Sequence, residues 1–135
     1  MAHQHRGEFD RVLADVPCTG LGALRRRAES RWRKSAGLLD ELVPLQRSLL
    51  TAAVDMTTPG GLIAYVTCSP HTAETTEIIE WLVSERSDIE ILDTPSFAQQ
   101  IFPTLADATR GSAVQLWPDL HETDAMFIQL IRRTQ

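Results

Sequence analysis

Cys18 and Cys68 are the only thiols in the chain, and each ends a short apolar run. The runs are Val12-Leu-Ala-Asp-Val-Pro-Cys-Thr-Gly20 and Leu62-Ile-Ala-Tyr-Val-Thr-Cys-Ser69; in both, a small hydroxyl residue follows the cysteine. A thiolate is a strong nucleophile, and a thiol of tuned pKa can pass a proton. The two motifs are read as facing one pocket. A lone cysteine at a strand end is more often a small core residue, so the repetition carries the functional reading. Metal binding is disfavoured. The chain has no C-x-x-C and no nearby His pair, and Cys68 with His71 offers two ligands at most.

Several elements must position these thiols. Phe9 to Val16 reads as a short buried strand ending at Pro17. Cys18-Thr-Gly-Leu-Gly22 follows as a tight loop in which Gly20 and Gly22 allow positive φ. Leu42, Leu45, Leu49, Ala52 and Met56 recur at helical spacing, predicting a helix over Leu38 to Met56 with that face inward. Pro44 suits a first turn, so regular helix is expected from Leu42 or Val43, and Pro59-Gly60-Gly61 is expected to stop it. Leu62 to Thr67 lacks polar alternation, as in a strand covered on both faces. Thr72 is a candidate N-cap for a second helix, Glu74 to Glu85. Its Ile78, Ile79, Leu82 and Val83 should face inward, and Glu74, Glu77 and Glu80 outward, with Glu74 expected to cap the helix start or orient the loop after Cys68. Ile89 to Leu92 reads as a short strand. Thr94 to Asp124 carries three prolines and reads mostly as loop, with a helical turn near Phe97 to Phe102. Ala125 to Arg132 is a final strand. Trp81 and Trp117 are read as packing residues.

The resulting order, β-α-β-α-β-loop-β, predicts an α/β fold with parallel strands and helical crossovers. Ligands of open α/β sheets bind beyond the carboxyl ends of the strands, where both cysteines lie. If their strands are neighbours, a strand spacing of about 4.8 Å puts the thiols within about 10 Å of each other. The strand, Gly-rich turn and helix that open a nucleotide-binding domain do not appear, and Gly20-x-Gly22 alone is a weak cofactor signal.

The 135 residues, 43% hydrophobic, suit one domain or part of one. A net charge of −5 excludes a uniformly basic nucleic-acid binder. Six of the 13 basic residues nevertheless lie between Arg25 and Lys34, opposed only by Glu29. Arg25, Arg26, Arg31 and Lys34 are candidate phosphate contacts, with Trp32 stacking on a base or packing below; a solvated surface is an equally good reading. No apolar run approaches the roughly 20 residues of a membrane span. Residues 1–8 are expected to be a flexible arm or cloning remnant, and His3 and His5 there are assigned no role. The compartment expected is a reducing cytoplasm, with both thiols free.

Taken together, Asp15-Val-Pro-Cys-Thr-Gly20, Arg25-Arg26, Trp32, Leu45-Gln46-x-x-Leu49-Leu50, Pro59-Gly60-Gly61, Tyr65-Val-Thr-Cys-Ser69 with Glu74, and Asp124-Ala-Met-Phe127 resemble the RNA cytosine-C5 methyltransferase family. The nearer match is its bacterial Fmu/Sun type, which acts on small-subunit ribosomal RNA. The resemblance implies that residues 9–135 are the C-terminal half of a Rossmann-like S-adenosylmethionine-dependent methyltransferase sheet, mostly parallel with an antiparallel last strand. The main cofactor loop would lie upstream. By the same resemblance, Cys68 adds to cytosine carbon 6, Cys18 serves the release step, and Asp15 binds the cytosine edge. Asp15 and Pro17 would border the cofactor, and no metal is implied. Ionisation of Cys68 would draw on the N-terminus of the helix behind it. Ala28 departs from the family's usual proline, Thr75 from its asparagine after Glu74, and Ala125-Met126 from its Gly-Phe. The alternatives are a non-catalytic module that self-associates through an exposed Val12–Val16 edge strand and, less favoured, a thiol redox enzyme.

Overall fold

β-branched and aromatic residues after Gly61 form a strand that lies inside a sheet, with a neighbour on each side. The computed structural model describes residues 4–33 and 37–135. Its elements in order are β1 (Phe9–Asp15), α1 (Leu38–Met56), β2 (Thr57–Thr67), α2 (Thr76–Glu85), β3 (Ile89–Ile91), α3 (Thr94–Ile101), β4 (Thr109–Arg110), β5 (Ala113–Gln115), α4 (Pro118–His121) and β6 (Phe127–Arg133). Short 3-10 turns cover Leu21–Ala23, Ala28–Arg33, Thr72–Glu74 and Pro103–Leu105.

The sheet runs β1-β2-β6-β5-β4, with β3 also paired to β6. β1 and β2 are parallel, with Asp15 opposite Val66. β6 lies antiparallel to β2, with Tyr65 opposite Gln129 and Thr67 opposite Phe127. β3 and β5 pair antiparallel with β6 and therefore point the same way as β1 and β2. The expected α/β sheet with an opposed last strand is present. Among the described residues only the β1–β2 ladder is parallel, because β6 is inserted in the middle of the sheet rather than added at its edge.

The core lies on one face of this sheet. Ile63 and Tyr65 of β2, Phe127 and Ile131 of β6, Leu50 and Val54 of α1, and Ile78 and Leu82 of α2 form one buried cluster. Burying each large apolar side chain contributes about 1.5–3 kcal/mol. Tyr65 meets Phe127 edge-on, with ring centroids 6.3 Å apart. The opposite face is thinly covered: Leu13 is 69% exposed, and β2 alternates buried with half-buried residues. The expectations of a buried β1 and a doubly covered β2 are thus corrected, since α1 and α2 pack on the same side.

Other expectations shift for local reasons. α1 begins at Leu38 and contains Pro44. Pro44 and Asp40 are both exposed, so the carbonyl that the proline leaves without an N–H partner lies on the solvent side of the helix. Gln46, Leu50, Ala53 and Val54 form its buried line, while Leu45 and Leu49 are exposed. The inward stripe is therefore offset from the all-apolar one. The helix ends at Met56, and Pro59-Gly60-Gly61 lies inside β2, where the β1 register slips between Phe9 and Arg11. His71, not Thr72, caps the turn before α2, its Nδ1 accepting from Ala73 N–H at 3.2 Å. Val83 faces solvent and Glu74 is fully buried, the reverse of the expected orientations. The segment read mostly as loop holds α3, the β4–β5 pair and α4. Polar side chains organise it: Gln129 Nε2 donates to the Leu92 and Ser112 carbonyls at 2.9 and 3.2 Å. No helix among the described residues is long and apolar enough to cross a membrane.

Candidate active site

The parallel register brings the two cysteine turns out of the sheet side by side. Val16 N–H donates to the Val66 carbonyl at 3.2 Å, the last rung before both strands end. The chain then turns at Pro17 and Thr67. Cys18 Sγ lies 3.2 Å from Cys68 Sγ. That is far longer than a disulfide bond of about 2.05 Å, and it places the two free sulfurs in hydrogen-bond contact.

The contact polarises the pair. Cys68 is lowered from 9.0 to about 6, chiefly because the Cys18 thiol donates to it; burial, Asp15 and Asp124 oppose the shift, and its own backbone N–H assists. Cys18 is raised by the same hydrogen bond, then by burial and by repulsion from the Cys68 thiolate. The two shifts run in opposite directions, favouring Cys68 as the thiolate and Cys18 as the thiol. The helix N-terminus expected to ionise Cys68 plays a lesser part: α2 begins only at Thr76, beyond an intervening 3-10 turn.

A cleft of about 580 Å³ opens over the sulfurs, lined among others by Asp15, Pro17, Arg26, Ser30 and Met126. Asp15 and Pro17 are exposed at its mouth. Gly22 ties the two turns together, donating to the Cys68 carbonyl and accepting from Ala125 N–H, both at 2.9 Å. A Cβ on Gly22 would stand 2.1 Å from the Ala125 oxygen and 2.8 Å from that of Cys68. Gly22 is thus required by close approach, whereas Gly20 is the one with positive φ, at 67°.

The arginine cluster divides. Arg25 Nε donates to Asp124 Oδ1 at 3.0 Å, and Arg26 grips both oxygens of the same carboxylate. Asp124 is buried beneath them, and its carboxyl is held below the usual range first by the Arg26 hydrogen bonds. Arg31 stacks over Trp32 at 4.9 Å, and Trp32 is 79% exposed. Lys34 lies outside the described residues. Among those described, no three His, Cys, Asp or Glu side chains are grouped to hold a metal ion.

Three site residues are only partly legible in the sequence. Asp124 and Gln46 enter only as members of motifs, and Glu74 reads as an outward-facing residue that caps the helix start or orients the loop after Cys68. Gln46 had a detectable signal, since it shares the helical phase of Leu50 and Ala53 and so breaks an otherwise apolar line. The inward direction of Glu74 had none, because a 3-10 turn, not α2, sets it.

Comparison with known proteins places this arrangement in context. The family described as 16S rRNA methyltransferase RsmB/F matches residues 1–132. A Mycobacterium tuberculosis protein named as a methyltransferase is 50% identical over 125 residues, 93% of this chain and 26% of its own length. The 25S rRNA (cytosine-C(5))-methyltransferase nop2 of Schizosaccharomyces pombe is 29% identical over 94% of this chain and 22% of its own length. The crystal structure of PH0851 superposes with a TM-score of 0.79 at 26% identity, covering 95% of this chain and 27% of that one. The chain thus spans about a quarter of the length of the relatives it matches.

Proposed function

Because the chain belongs to the RsmB/F family of 16S rRNA methyltransferases, we propose that it carries the cysteine site of an S-adenosylmethionine-dependent enzyme that methylates cytosine carbon 5 in RNA, with ribosomal RNA as the substrate class. The observation that carries this reading is the 3.2 Å pair of sulfurs at the mouth of an open cleft.

Carbon 5 of cytosine is a poor nucleophile. Addition of the Cys68 thiolate at carbon 6 makes the ring's electron pair available at carbon 5, while the Asp15 carboxylate faces the base edge. S-adenosylmethionine, when bound, supplies the methyl group. The chain's residues fit one rim of it: Asp15 offers an exposed carboxylate to a sulfonium cation, and Pro17 an apolar wall. Once Cys68 is alkylated it is neutral, so the hydrogen bond and repulsion that kept the proton on Cys18 vanish. Cys18 then loses that proton to the open cleft and becomes the base that removes the carbon-5 proton. Elimination expels the Cys68 thiolate and restores the resting pair. The single proton lost from Cys18 is the one that substitution of hydrogen by methyl must release.

The target base must leave its stack to enter the cleft, so single-stranded or looped RNA is expected. Trp32 and Arg31 present the free stacking surface, whereas Arg25 and Arg26 act first on Asp124. The test uses the full-length protein with RNA and cofactor. Cys68→Ser should abolish methylation and covalent adducts, and Cys18→Ser should accumulate adducts that do not resolve. Normal turnover by Cys18→Ser would overturn the assignment. A second reading, self-association of this chain, is favoured by the exposed β1 and its thinly covered sheet face.

A further inference from the structure

Glu74 is fully buried, and among the described ion pairs none involves it. An ionised carboxylate without a cation needs several donors in compensation. Burial pushes its pKa up, but hydrogen bonds from Ser69, Thr19 and Gln46 outweigh this and hold it below the usual range. The identity of those donors is informative. Thr19 N–H donates to Glu74 Oε1 at 2.8 Å and Thr19 Oγ1 to Oε2 at 2.6 Å. Gln46 Nε2 donates to Glu74 Oε1 at 3.0 Å and to the Pro17 carbonyl at 2.9 Å. The Pro17 carbonyl and the Thr19 N–H belong to the two peptide groups that flank Cys18, so both are held. Thr19 Oγ1 also lies 3.3 Å from Ser69 Oγ, the residue after Cys68.

We propose that Glu74 and Gln46 form a positioning pair that locks both peptide groups around Cys18 and so keeps its sulfur seated on Cys68. This rests on the thiol roles assigned above and adds what holds them. The pair acts by position, not by its charge. The groups that bear on Cys68 are Cys18, Asp15, Asp124 and Arg26, and those on Cys18 are Cys68, the backbone of Gly20 and the Tyr65 hydroxyl. Glu74 bears instead on Tyr65, whose hydroxyl donates to the Glu74 carbonyl at 2.8 Å.

The experiment is the pH dependence of Cys68 alkylation by iodoacetamide, read by peptide mass spectrometry on the chain without RNA or cofactor. Glu74→Ala should slow alkylation about tenfold near pH 6.5, because Cys68 returns toward an ordinary thiol. Glu74→Gln, which keeps an acceptor for Thr19 N–H, should restore most of the rate. If Glu74→Ala does not fold, Gln46→Met decides, since it is close in shape but releases the Pro17 carbonyl. An unchanged profile in the folded variant overturns the proposal. The readout is independent of methyl transfer: loss of adducts with an intact shift would fault the proposed reaction, not the positioning pair.

Discussion

At the scale of single residues, the site depends on which sulfur holds the proton. The Cys18 thiol is the largest cause of Cys68 ionisation, so Cys18→Ala should move the alkylation midpoint of Cys68 from about 6 upward by more than about one unit. A stability trend follows with a defined sign. A thiol whose folded pKa is depressed stabilises fully above its unfolded value and loses that contribution as pH falls through its folded value. The urea midpoint should therefore climb between about pH 6 and the ordinary value of 9.0, and Cys68→Ser should flatten the climb. Above that range, retention of the proton by Cys18 opposes stability. Both cysteines were legible in the sequence as strand-end thiols, since strand and turn residues announced them. Their 3.2 Å contact was not legible, because it depends on the register that sets Asp15 opposite Val66.

At the scale of elements, loops rather than helices do the precise work. Gly22 is wedged between the Cys68 and Ala125 backbones. Gly22→Ala must break one or both of those hydrogen bonds and should cost about 2–3 kcal/mol, measured as a lower urea midpoint. The 3-10 segment Ala28–Arg33 presents Trp32 outward. Trp32→Ala should weaken single-stranded RNA binding by about 1–3 kcal/mol. Arg31→Ala should reduce the salt slope by about one. α1 shows where sequence reading loses resolution. Of the adjacent leucines at 49 and 50, the one in line with a glutamine was the buried one. Leu50, Ala53 and Val54 of that line join the core cluster, and Gln46 is tolerated in it because it donates to Glu74 and to the Pro17 carbonyl. The β4–β5 pair was hidden because its strands are only two and three residues long and one buried position is Gln115, too short a run for alternation to show.

At the scale of the whole molecule, the sheet is covered asymmetrically. α1 and α2 bury one face, while Leu13, Leu62, Ala64 and Leu130 surround an open apolar hollow of about 330 Å³ on the other. β1 also lies at the end of the strand order. Such a surface tends to pair. Sedimentation of this chain should show concentration-dependent association, and Leu13→Lys should suppress it without lowering the urea midpoint. The α/β class and element order were readable from periodicity, but the insertion of β6 beside β2 was not, because strand order is set by long-range pairing.

The claim that joins these scales is that two sulfurs, brought together by neighbouring strand ends, share one proton. Titration of the wild-type chain by thiolate ultraviolet absorbance tests it directly. One thiolate should appear with a midpoint near pH 6, and the second only well above the ordinary thiol range. Two thiols titrating together near about 8.5 would contradict it.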